Sequence, residues 1–292
     1  MTKKDYSGFS VDGSTFRPNF RHAGEQTPIL PAGMYVPKFN RQTGDFWLEK
    51  MEVTTDNIID LPSPEYSRVT KEIEQFLKPE TKVKFIELGF MYKRSALLYG
   101  LPGTGKTLIA NRIIADSIKK GAVVIWGSVE LNLIDHTFKI LNNTQPDVIT
   151  MVIFEEFDSI VREYESELLT LLDGQVQKNN VIYLATTNYL DKIPKRIYRP
   201  GRFSSVIEVT FPNADARTVY FKHKLGDIQG LNELVNKTNG LSIDELKEII
   251  QSVYILNYNV DEEIQRLLRT RGVDCQESES MDLIIDETDR DF

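Results

Sequence analysis

The chain has 292 residues, 41% of them hydrophobic and 27% charged, which is enough for one large domain or two moderate ones and excludes a fibrous or disordered protein. Its longest apolar run, 148–154, is strand-sized and far short of a membrane span; Lys3 and Lys4 lead into polar sequence rather than a secretory signal. Cys275 is the only cysteine, which excludes an internal disulfide framework and a cysteine-based zinc site and suits a reducing, cytoplasmic compartment.

The net charge of −8 is uneven: residues 273–292 hold eight acids against Arg290, so this tail carries −7 and the rest of the chain −1. A nearly neutral body lacks the basic footprint of a nucleic-acid-binding protein.

Along the chain, residues 1–30 are polar and rich in Gly, Pro and Ser, and read as a flexible arm. Residues 31–60 read as a separate β-hairpin element, with Met34, Tyr35 and Val36 facing Phe46, Trp47 and Leu48 across a turn-like stretch. Ser63-Pro64 then signals a helix start, followed by Val69, Ile73, Phe76 and Leu77 at helical spacing. Short apolar strands at 94–99, 122–126, 148–154, 181–185 and 205–210 alternate with segments long enough for crossover helices. That pattern predicts a parallel sheet covered on both faces over 61–212. Amphipathic helices, including 241–257 and 260–269, fill 213–272, and the acidic tail closes the chain.

Gly100-Leu101-Pro102-Gly103-Thr104-Gly105-Lys106-Thr107 satisfies GxxxxGK[ST] at every fixed position. Glycines and a proline let successive N–H groups converge on a phosphate, Lys106 reaches the outer phosphates, and the Thr107 hydroxyl ligates Mg²⁺. The following helix, opening at Leu108, adds a favourable N-terminal dipole. Fifty residues on, the 148–154 strand ends in Glu155 and Glu156. At the C-terminal edge of a parallel sheet one carboxylate serves a metal's water shell and the other orients an attacking water.

With both motifs in place, the chain resembles the AAA branch of the P-loop ATPases over about residues 60–270. The stretch 95–107 is similar to that family's strand and Walker A segment, and Phe154-Glu155-Glu156-Phe157-Asp158 to its Walker B segment. Leu171-Leu172-Asp173-Gly174 also matches. Ala185-Thr186-Thr187-Asn188 and Ile197-Tyr198-Arg199-Pro200-Gly201-Arg202-Phe203 are similar to the second region of homology particular to AAA proteins. The resemblance implies an α/β, three-layer αβα P-loop NTPase domain with a small helical lid, using ATP and Mg²⁺. It implies ATP contacts from Gly100, Pro102, Gly103, Thr104, Gly105, Lys106, Thr107 and Leu108, and metal binding by Thr107 and Glu155. It makes Glu156 the water-activating glutamate, Asn188 the first sensor, and Arg199 and Arg202 arginine fingers supplied across a subunit interface. A homo-oligomeric ring, most often a hexamer, follows from fingers supplied in trans.

The sequence departs from the family in places. Glu155 stands where most relatives have aspartate, Ser204 replaces an aspartate, and the lid carries Ile243-Asp244 in place of Gly-Ala with no second-sensor arginine. His223 reads as a helix-surface histidine. Residues 127–136 lack the aromatic pore-loop tetrad of threading AAA proteins, a compactness closer to Bcs-type chaperones without their membrane helix; Leu133 and Ile134 there read as helix core rather than pore contacts. The leading function is ATP-driven remodelling of a protein or protein assembly. A nucleotide-gated scaffold with slow hydrolysis is the alternative, ahead of a DNA-acting loader. Within the acidic tail, the apolar run 281–285 reads as a short docking motif or part of a solubilising end.

Overall fold

The computed structural model describes residues 8–18, 25–53, 59, 61–127, 130–173 and 179–271. The acidic tail with its 281–285 run lies outside them. The chain divides into two compact units, one of Met1–Ile58 with Pro64–Thr210 and one of Ile59–Ser63 with Phe211–Phe292.

The first unit contains β1 (Phe9–Asp12), β2 (Thr15–Pro18), β3 (Glu25–Thr27), β4 (Gly33–Phe39), β5 (Phe46–Met51), α1 (Pro64–Phe76) and α2 (Pro79–Glu87). It continues with β6 (Lys93–Tyr99), α3 (Lys106–Lys119), β7 (Val123–Trp126), α4 (Leu131–Thr144), β8 (Thr150–Phe154), α5 (Phe157–Asp173), β9 (Val181–Thr187) and β10 (Ser205–Glu208). Among the described residues, ten strands form one sheet in the order β10-β6-β9-β8-β7-β4-β5-β2-β1-β3.

From β10 to β4 the pairing is parallel, and every residue of β8 and β9 is buried, as both faces of a helix-covered sheet require. Alternation assigns the faces. Leu98, Ile153, Ile182 and Leu184 pack with Val69 and Ile73 of α1 and Ile109 and Ile113 of α3. Leu97, Val152, Tyr183 and Ala185 pack on the other side with Ile134 and Phe138 of α4 and Leu168 and Leu172 of α5. This is the three-layer αβα arrangement of a P-loop NTPase.

The N-terminal part differs from the expected arm and separate hairpin. The described residues of 1–30 contain β1, β2 and β3, and β4 pairs in parallel with β7, so the hairpin extends the main sheet. Beyond β4 the pairing is antiparallel through β5, β2, β1 and β3. Fully buried Phe9, Tyr35 and Leu48 join the same apolar cluster as the sheet's α4–α5 face, and this burial outweighs the polar composition around them. Two residues, Gly13 and Ser14, turn β1 into β2, with Gly13 at φ +57°.

The second unit comprises α6 (Ala214–Leu225), α7 (Leu231–Lys237), α8 (Ile243–Ile249) and α9 (260–271). Tyr220, Phe221, Leu234, Leu241, Leu246 and Ile249 form its core, and Ile59 joins them, which puts 59–63 with this unit rather than with the flanking segments. The single helix expected over 241–257 runs from Ile243 to Ile255, as α8 continuing directly into a π-helical turn. Ser242 and Glu245 form a capping box at the start of α8, and a π-helical turn, Ile250–Ile255, closes it through Leu256 N–H to Gln251 O.

Candidate functional site

The phosphate loop runs from the end of β6 into α3. Leu97 and Leu98 are fully buried, so the strand's end is fixed, and Val209 N–H donates to Tyr99 O at 2.7 Å beside it. Gly100 follows at φ +152°, and a Cβ there would lie 2.3 Å from the Val209 carbonyl oxygen. Only glycine fits that approach. Gly103 and Gly105 take φ +74° and +103°, and Gly105 directly precedes α3, whose first turn leaves N–H groups without intrahelical partners. Pro102 is exposed, Thr104 is buried with its hydroxyl on Leu101 O, and Leu108 is half-buried. Lys106, only 7% exposed, donates from Nζ to Gly100 O at 2.8 Å and Leu101 O at 2.7 Å, holding a positive charge against the loop.

The strand order places β9 between β6 and β8, so three chain ends lie side by side. Tyr99 pairs with Thr187 and Phe154 with Ala185. The residues just beyond are the loop, Asn188, and the Glu155–Glu156 turn. Glu155 is half-buried and hydrogen-bonded to the Thr107 side chain. Burial holds its carboxyl above the usual range, opposed by the Thr107 hydrogen bond and reinforced by the charge of Glu156. Thr107 and Glu155, the expected metal pair, are thus together. Glu156 is exposed and sits at φ +49°, an uncommon conformation for a residue with a side chain. Asn188 is exposed at the end of β9.

The chemistry of this donor set fits a phosphate chain with a divalent cation. Among the described residues no group of three or more His, Cys, Asp or Glu side chains can hold a metal. A hydroxyl and one carboxylate suit Mg²⁺, which keeps waters and takes substrate phosphates as its other ligands.

The two arginines expected as fingers sit in different surroundings. Arg199 is exposed, whereas Arg202 is 8% exposed and committed within its own chain. Its Nε and NH2 donate to the two Asp173 carboxylate oxygens at 2.6 and 2.5 Å, and NH1 donates to Arg196 O. A forked guanidinium on a planar carboxylate is a strongly oriented contact. The Arg202 hydrogen bonds hold the Asp173 carboxyl below the usual range, with further help from the charges of Arg199 and Lys93. Sequence reasoning matched Asp173 to the family without giving it a role; 29 residues separate the partners, and no local pattern joins them.

Leu133 and Ile134 are buried in α4, as helix core. His223 is exposed on α6, and Ile243 and Asp244 open α8. No described helix is long and apolar enough to cross a membrane.

The profile of the ATPase family associated with various cellular activities (AAA) matches residues 96–211, from within β6 past β10, taking in the loop, the acidic turn, Asn188 and both arginines. Residues 96–211 of this chain form an AAA ATPase domain. Among its AAA relatives, the proteasome-activating nucleotidase of Archaeoglobus fulgidus is 30% identical over 229 residues, 69% of this chain and 56% of the relative. The ATP-dependent zinc metalloprotease FtsH of Mycoplasma pneumoniae is 27% identical over 254 residues, 76% of this chain and 35% of the relative. The human ATPase family gene 2 protein homolog A is 29% identical over 241 residues, 71% and 26% of the two chains. The chain therefore spans about half the length of the archaeal relative and about a third or less of the other two.

Proposed function

We propose that this chain binds ATP with Mg²⁺ and hydrolyses it as a homo-oligomeric cytoplasmic ATPase that remodels a protein or protein assembly. The observation that carries the reading is the adjacency of the phosphate loop, Asn188 and the Glu155–Glu156 turn at three neighbouring strand ends. In it, the loop N–H groups and Lys106 bind the phosphates. Thr107 and Glu155 would hold Mg²⁺, which when bound would supply charge neutralisation at the phosphates. The Glu156 carboxylate accepts a proton from the attacking water while the Asn188 amide donates to the γ-phosphate or to that water. Arg199, exposed, reaches a neighbouring protomer's nucleotide; Arg202, through Asp173, fixes the turn that carries Arg199. Glu156→Gln tests this: turnover should fall about a hundredfold or more with ATP binding retained, and unchanged turnover would remove Glu156 from the mechanism.

Two matched relatives are named as a proteasome activator and an ATP-dependent protease, which supports a polypeptide as the substrate class. Assembly is supported by apolar side chains exposed on each unit: Val83, Ile86, Leu88, Phe90 and Met91 on one, Tyr254, Ile255, Leu256 and Tyr258 on the other. Clusters of this kind mark association surfaces. The nucleotide-gated scaffold remains a second reading because Leu133 and Ile134, following β7, point into the core and offer a translocating chain no grip. Turnover stimulated by unfolded polypeptide would rule it out.

A further inference from the structure

Thr187, the last residue of β9, is 1% exposed, so its hydroxyl must find partners within the protein. Its Oγ1–H donates to Asp158 Oδ1 at 2.6 Å, and the same oxygen accepts the Tyr189 N–H at 3.0 Å. The direction is fixed. A carboxylate has only acceptors, so the hydroxyl proton lies toward Asp158 and the lone pairs remain for Tyr189. A separation of 2.6 Å is in the short range of O–H···O⁻ bonds.

These two bonds bracket Asn188. The buried strand holds it from the front, and the anchored Tyr189 amide from behind. Asp158 is itself constrained, lying in the first turn of α5 two residues after Glu156. The intervening Phe157 is fully buried, with its ring 5.5 Å from Phe154 and 5.0 Å from Phe203. A shift of the acidic turn therefore carries Asp158 with it, and Asp158 carries Thr187.

We propose that Asp158 and Thr187 are positioning residues that lock Asn188 to the Glu156 turn, so that amide and carboxylate address the same water in fixed relation. The inference rests on the hydrolysis reading given above. Neither side chain touches the nucleotide; both act through Asn188.

The test measures kcat, KM and equilibrium ATP affinity on the full chain and on Thr187→Val, Thr187→Ser, Asp158→Ala and the Asp158→Ala/Thr187→Val double variant. Thr187→Val, which removes both hydrogen bonds of the hydroxyl, should lower kcat about tenfold or more, a loss felt mainly in the transition state, with ATP affinity within about twofold of the parent. Thr187→Ser, which keeps the hydroxyl, should restore kcat. The double variant should be no worse than Thr187→Val alone, because both changes break the same link. Unchanged kcat in Thr187→Val, ATP affinity falling in step with kcat, no rescue by serine, or additive losses would each overturn the proposal. Should Thr187→Val not fold, Asp158→Asn, which keeps an acceptor without its charge, should lower kcat about threefold, and no decrease would be equally decisive. A parent chain with no ATP turnover overturns the hydrolysis reading and this proposal with it; a parent that turns over while Thr187→Val matches it overturns the proposal alone.

Discussion

Gly100 shows how little room the site leaves at the residue scale. One added methyl meets the Val209 carbonyl at 2.3 Å, and the backbone there is already at positive φ. Gly100→Ala should destabilise the fold by about 1–3 kcal/mol and abolish nucleotide binding, as thermal unfolding and ATP titration would show. The arginines make a complementary pair of substitutions. Arg202→Ala removes two hydrogen bonds to Asp173 and one to Arg196 O, with an expected loss of about 1–2 kcal/mol given how open Asp173 is to water. Arg199→Ala should leave stability intact and lower ATP turnover in the assembled state. The ion pair also predicts an acid-side response. The folded pKa of Asp173 is depressed, so its contribution is complete above the unfolded carboxylate value and is lost as pH falls through the folded one. Unfolding measured against pH should show that slope in the parent and lack it in Arg202→Ala. Nothing in the sequence marked this pair, because its partners meet only once β6, α5 and the turn before β10 have packed.

At the scale of elements, strength of pattern decided what could be read beforehand. The five crossover strands are short, largely apolar runs, most of them next to recognisable motifs, and all five are present, trimmed or extended by a few residues. The phosphate loop, Glu155–Glu156 turn and Asn188 were visible for the same reason, since each is a short contiguous motif at a strand end. The first strands gave a weaker pattern. β1 and β2 are four residues each, with single aromatics facing inward amid polar neighbours, joined by the two-residue turn Gly13-Ser14. A substitution there tests the element. Gly13→Val should cost about 1–3 kcal/mol, because a β-branched residue resists positive φ. Gly13→Asn should be tolerated, and amide hydrogen exchange in β1 and β2 would report the difference. In the second unit, the change from α8 to a π turn was hidden because 241–257 keeps a helical apolar pattern through it.

At the scale of the whole molecule, apolar side chains remain where a lone chain would be expected to cover them. Leu88 is 70% exposed and Ile255 67%. If these surfaces join copies of the chain, Leu88→Asp with Phe90→Asp should shift the mass measured by light scattering in ATP from oligomer to monomer. Turnover should fall with it while ATP affinity stays near the parent's, since a finger from a neighbour acts on hydrolysis rather than on binding.

The parallel pairing of β4 with β7 has a practical consequence. The AAA profile begins at residue 96, inviting a minimal version of the protein trimmed of its first fifty residues or so. Such a version would strip the cover from β7, whose Val123, Val124 and Ile125 are wholly inaccessible in the intact sheet, and leave a row of hydrogen-bonding groups seeking a stranger's backbone. The excised domain would tend to clump in the test tube for reasons unrelated to its chemistry.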